Sequence, residues 1–173
     1  MIRAHVGCSI NTFLHEQIGA SQEYIQDRIR TVFLDGKPVD DLDSAIIKNK
    51  SRLTLSAAMP GLVGATMRRG GVYSTLRSAI TYREGSKHST TGEGFVQLKL
   101  FNLVMEELGP SLLRRDILLK SSDLADFLKE QPQDFWQGCG GIFLNGKPVD
   151  PDLLRKGDLL IQYERINLSI SSL

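Results

Sequence analysis

Val32-Phe33-Leu34-Asp35-Gly36-Lys37-Pro38-Val39-Asp40 returns further along the chain as Ile142-Phe143-Leu144-Asn145-Gly146-Lys147-Pro148-Val149-Asp150. Seven of the nine positions are identical, and the other two are Val/Ile and Asp/Asn. Each copy runs a short apolar strand into Asp-Gly or Asn-Gly, which supplies the positive φ of a tight hairpin turn. The proline that follows marks a strand start or an edge position. Upstream, Phe13-Leu14-His15-Glu16-Gln17 matches Phe127-Leu128-Lys129-Glu130-Gln131 at four of five positions. The two matches keep the same order, which reads as a duplicated helix-plus-hairpin unit.

The helices follow from apolar spacing. Ile10, Phe13 and Leu14 stand at i, i+3 and i+4 behind Ser9 as the cap. Leu124, Phe127 and Leu128 repeat that spacing behind Ser121 or Ser122. A second helix fits residues 21–30, with Tyr24, Ile25 and Ile29 on one side. Closing strands are predicted over 51–57 and, after Lys156-Gly157-Asp158, over 159–165. Between the units, 57–71 is rich in glycine and small residues. Strands are predicted over 72–82 and 95–100, a polar loop over 85–94, and a helix over 101–115 interrupted at Gly109-Pro110. The expected fold is α+β. Two duplicated units, 1–56 and 116–166, surround a central, mostly antiparallel sheet built from the 57–115 segment, all within one domain 1–173.

Two resemblances attach to the repeat. The first copy is similar to the alpha-L RNA-binding domain in its helix 10–17, turn Gly19-Ala20-Ser21, helix 23–30 and hairpin 32–39. That likeness implies RNA binding through basic helices. Here those helices hold Glu16, Glu23 and Asp27 against Arg28 and Arg30, a poor match to phosphate-driven affinity. The second copy resembles a ubiquitin-like β-grasp of the sulfur-carrier kind. The matching parts are strand 117–119, helix 124–128, Leu144-Asn145-Gly146 and Leu154-Arg155-Lys156-Gly157-Asp158. Such carriers end in Gly-Gly, whereas this sequence ends Ile170-Ser171-Ser172-Leu173. A β-grasp-like shape without that chemistry is the expectation.

The chain has 173 residues, 41% hydrophobic and 24% charged, with a net charge of +1. This composition excludes wholesale disorder, and the net charge argues for no particular polyanionic partner. The charge is unevenly placed. Residues 57–100 carry six basic groups against two acidic ones, and 101–173 carry eight against eleven. Cys8 and Cys139 imply no disulfide framework. No apolar run is long enough for a signal peptide or a membrane span, so a cytoplasmic location is expected.

Catalytic and metal motifs are mostly missing. Gly141 to Lys147 fits G-x-x-x-x-G-K, but Pro148 replaces the Ser or Thr that would hold magnesium, and the apolar middle is strand. His5 and Cys8 make a single H-x-x-C, while structural zinc needs four ligands. Asp40, Asp41 and Asp43 lack the full spacing of a calcium loop. No catalytic residue, metal or cofactor is assigned. The candidate ligand-binding residues are Arg68, Arg69, Arg77, Arg83, Lys87 and His88, a basic cluster beside glycines that permit close backbone approach. The expected function is a small cytosolic binding or interaction module without catalysis, its partner a protein or a phosphate-bearing ligand. The alternatives are an RNA-binding protein of the alpha-L type and an enzyme using the 85–94 loop as a lid. The oligomeric state stays open.

Overall fold

The computed structural model describes residues 1–85 and 90–171. The fold is α+β, with a mixed but mostly antiparallel strand arrangement. It forms two compact units, 1–115 and 116–173.

In the first unit, strand β1 (Ile2–Val6) leads to helix α1 (Ile10–Thr12), which continues as a wider π-helical turn, Phe13–Ile18. Helix α2 (Gln22–Asp27) follows, then strands β2 (Thr31–Leu34), β3 (Lys37–Pro38) and β4 (Arg52–Ser56). Helix α3 (Gly61–Met67) and a 3₁₀ turn (Ser74–Arg77) precede strand β5 (Gly92–Phe101) and helix α4 (Leu103–Leu113). The strands lie side by side as β3-β2-β4-β5-β1. β5 runs parallel to β4 and antiparallel to β1, and β2 pairs antiparallel with both β3 and β4.

Local chemistry explains the helical layer. The Ser9 hydroxyl accepts from Thr12 N and the Ser21 hydroxyl from Tyr24 N, satisfying donors that a helix start leaves open. Gly19, at φ 85°, ends the π-helical turn in the left-handed region. The Arg115 guanidinium donates to the carbonyls of Gln17 and Ile18 at that same end. Ile10, Phe13, Leu14, Ile25 and Ile29 are buried, as are Val32, Leu34, Leu53, Leu55 and Val96 of the sheet. Each such side chain contributes roughly 1.5–3 kcal/mol of transfer free energy. This core holds the sheet that carries the candidate site.

The second unit has strand β6 (Ile117–Lys120), helices α5 (Ser121–Lys129) and α6 (Gln133–Gln137), and hairpin β7 (Phe143–Leu144) with β8 (Lys147–Pro148). Helices α7 (Pro151–Lys156) and α8 (Asp158–Ile161) and strand β9 (Arg165–Leu168) complete it, with β9 antiparallel to β6. Its core is small: Ala125, Trp136, Leu154 and Leu160, flanked by Leu124, Leu128, Ile142, Val149 and Ile166.

The two nonapeptides fold alike. Asp35 and Gly36 take φ of 51° and 83°, and Asn145 and Gly146 take 52° and 75°. Phe33 faces Pro38 as Phe143 faces Pro148. Val39 N donates to Val32 O as Val149 N does to Ile142 O. Their surroundings differ: β2 also pairs with β4, whereas β7 and β8 pair only with each other, and Phe143 is 67% exposed.

Several sequence expectations need correction. Residues 72–82 form no strand. Their backbone closes local turns, such as Leu76 N to Tyr73 O and Thr81 N to Arg77 O, as Ser- and Thr-rich stretches can. The central sheet therefore draws mainly on residues 2–56, and only β5 comes from the middle segment. Helix α4 runs through Pro110, because the bond lost there would have used the carbonyl of solvent-exposed Glu106. Lys120, not a serine, holds the N-cap position of α5, and the Ser121 hydroxyl donates to Tyr163 O instead. Residues 159–164 are the end of α8 and a turn, and the strand begins only at Arg165, as β9.

Candidate functional site

The segment between β4 and β5 leaves the sheet at Ser56 and returns at Gly92. Pro60 enters α3, and Gly64 lets that helix close on its own approach. A Cβ at Gly64 would lie 1.9 Å from Met59 O, so only glycine fits. Arg77 fastens the segment to the first hairpin. Its side chain is 3% exposed. Its Nη2 and Nη1 donate to Asp40 Oδ1 at 2.7 Å and Oδ2 at 3.1 Å. Its Nε donates to Thr66 O at 2.7 Å, and Nη1 also reaches Thr81 Oγ1 at 2.8 Å. Gly70 N adds a third bond to the Asp40 carboxylate. A planar fork meeting a carboxylate with two bonds is the geometry in which arginine is strongest.

Two further ties hold the segment. Arg69 N donates to Arg30 O at 2.7 Å and its guanidinium to Ile25 O at 2.8 Å. Burial, with Arg30 nearby, lowers the Arg69 pKa from its ordinary value. At the far end, Tyr82 N donates to Pro38 O. The Tyr82 hydroxyl donates to Glu84, which also accepts from Lys48 Nζ at 2.7 Å and from Ile46 N. Burial and Glu84 together push the Tyr82 hydroxyl above its ordinary range. Burial works to raise the Glu84 pKa, but the bonds from Lys48, Tyr82 and Ile46 outweigh it and hold the carboxyl low.

This bracing presents an apolar surface. Leu62, Val63, Val72, Tyr73, Leu76 and Ile80 are all exposed, Val72 by 89% and Leu76 by 74%. Arg68 and Arg83 are exposed beside them in sequence and have no acidic partner among the described residues. No Asp or Glu occurs between Asp43 and Glu84. The exposed side chains of this segment are therefore apolar and basic. Of the six candidate ligand-binding residues, Arg69 and Arg77 are engaged internally and Arg68 and Arg83 are exposed. Lys87 and His88 lie outside the described residues, as does most of the polar part of the 85–94 loop. The exposed apolar face was missed by the charge-led reading. Its signal was the run of Leu62, Val63, Val72, Leu76 and Ile80 in a stretch with no acidic residue.

A second feature is an open groove of about 560 Å³, lined among others by His5, Cys8, Glu16, Gln17, Glu93 and Arg115. The Gln17 amide accepts from His5 N at 2.8 Å, donates to His5 O at 2.9 Å, and lies 3.4 Å from Cys8 Sγ. Burial pushes the Cys8 thiol pKa up. This environment stabilises the protonated thiol, the opposite of what a nucleophilic cysteine needs. Among the described residues no group of three or more His, Cys, Asp or Glu is placed to hold a metal ion, and no helix is long and apolar enough to cross a membrane.

No protein-family model, curated protein or solved structure matches this chain.

Proposed function

We propose that the chain is a small cytosolic protein-binding module without catalytic activity, and that residues 59–83 are its contact surface. The observation that carries this reading is a run of exposed large apolar side chains in a segment fastened by the bonds from buried Arg77 to half-buried Asp40. A soluble monomer seldom exposes such a run without use for it. The partner is a protein segment with apolar anchors and an acidic rim, because Arg68 and Arg83 are exposed in a segment that has no acidic residue of its own. A second copy of the chain fits less well, since an isologous contact would place the same basic segment against itself.

The internal use of Arg69 and Arg77 argues against RNA, which would need those charges for phosphate. The raised Cys8 pKa argues against a thiol enzyme in the groove. Fluorescence anisotropy with an amphipathic Leu/Glu peptide tests the reading, with a Leu/Lys peptide of equal length as control. Saturable binding of the acidic peptide alone, lost in Leu62→Asp/Leu76→Asp, supports it. Equal binding of both peptides, or of neither, contradicts it.

A further inference from the structure

Beside the Arg77–Asp40 pair lies an open depression of about 210 Å³, lined by Asp40, Ser74, Thr75, Ser78, Thr81 and Arg83. Its donors divide into two sets. The Thr81 hydroxyl is committed, accepting from Arg77 Nη1 and donating to Arg77 O. The hydroxyls of Ser74, Thr75 and Ser78 have no hydrogen-bond partner among the described residues, and neither does the Arg83 guanidinium. The negative charge of the Asp40 wall is matched by both Arg77 Nη groups and Gly70 N. The unmatched charge at the depression is therefore the Arg83 cation, beside three open hydroxyls.

We propose that this depression receives a phosphorylated serine or threonine side chain of the protein partner. The proposal rests on reading residues 59–83 as the contact surface. A phosphate monoester brings close to two negative charges and three strong acceptor oxygens. Three hydroxyls and a guanidinium supply donors for those oxygens. A carboxylate, with two oxygens and one charge, would leave donors unused. Arginine suits the task because its fork can bind two phosphate oxygens at once. Phosphorylation of the partner would thus strengthen docking, with the apolar face supplying the rest of the contact.

The test is an NMR titration of the ¹⁵N-labelled full chain with N-acetyl-phosphoserine amide, and separately with inorganic phosphate and acetate at matched ionic strength. Phosphoserine is expected to shift the amides of Ser74, Thr75, Ser78 and Arg83 and to saturate. Arg83→Gln, which removes no side-chain hydrogen bond or ion pair within the described residues, is expected to weaken that binding about tenfold, as for one charge-assisted contact. Acetate is expected to give no saturable shift. The absence of saturable binding, an affinity unchanged by Arg83→Gln, or equal binding of acetate would overturn the site. Saturation by inorganic phosphate but not by phosphoserine would overturn the assignment to a phosphorylated partner. Leu62→Asp/Leu76→Asp separates the two readings. It removes Leu/Glu peptide binding and keeps phosphoserine binding if both hold. Peptide binding without phosphoserine binding sinks only the phosphate site.

Discussion

Removing the Asp40 carboxylate should loosen the contact surface more than removing its partner, Arg77. Asp40→Ala takes away the acceptors of three hydrogen bonds, two of them from the buried guanidinium. Breaking a fully buried pair costs about 3–5 kcal/mol, because a charge is left without a partner. The Asp40 side chain is 35% exposed, so water reaches part of the site and the expected loss is about 2–3 kcal/mol. Arg77→Met leaves Asp40 as the orphan instead. That group can rehydrate and keeps the Gly70 bond, while the methionine stem fills much of the space, so about 1–2 kcal/mol is expected. Amide hydrogen exchange of the full chain reads this locally. Protection at Gly70, Ser78 and Thr81 should fall in both variants, and further in Asp40→Ala. Equal losses, a larger loss in Arg77→Met, or unchanged protection at these amides would refute the reasoning that the pair braces the segment.

Phe13 of the π-helical turn is fully buried, so Phe13→Ala should cost about 3–5 kcal/mol in urea unfolding followed by far-ultraviolet circular dichroism. Glu84 carries a folded pKa below its ordinary value of 4.5, so it stabilises the fold above that value and the contribution is lost as pH falls through the folded pKa. Thermal melts should therefore show a smaller acid-induced drop in Tm for Glu84→Gln than for the parent chain. Cys8, with its pKa raised by burial, should react with iodoacetamide at neutral pH more slowly than free cysteine does, as followed by mass spectrometry.

The hairpins were legible because their signal is local. Asp35-Gly36 and Asn145-Gly146 must take positive φ to close the turn, and few other dipeptides do so cheaply. The Ser9 and Ser21 caps and the Ile10/Phe13/Leu14 spacing were equally local. The 72–82 stretch misled because Val72, Tyr73, Thr75, Ile80, Thr81 and Tyr82 are residue types that strands favour. What decides it is Arg77, whose partner Asp40 is 37 positions away. Sequence periodicity carries no information about such a pair. The candidate site shows the same division. The cluster Arg68, Arg69, Arg77 and Arg83 was visible as charge. That Arg69 would bind the Ile25 carbonyl and Arg77 the Thr66 carbonyl depends on backbone groups that every residue possesses. The exposure of Leu62 and Leu76 is set by the tertiary arrangement, and the sequence signals it only through an apolar run in a stretch without acidic residues.

The central claim is that residues 59–83 form an apolar, basic docking surface for an acid-rimmed protein segment. Anisotropy of the Leu/Glu peptide against the full chain, compared with the Leu/Lys peptide, tests it most directly. The account predicts saturable binding of the Leu/Glu peptide, weakened but not abolished by added salt, and lost in Leu62→Asp/Leu76→Asp with Tm essentially unchanged. Binding of the Leu/Lys peptide with equal affinity, or Leu/Glu binding that survives both substitutions, would contradict it.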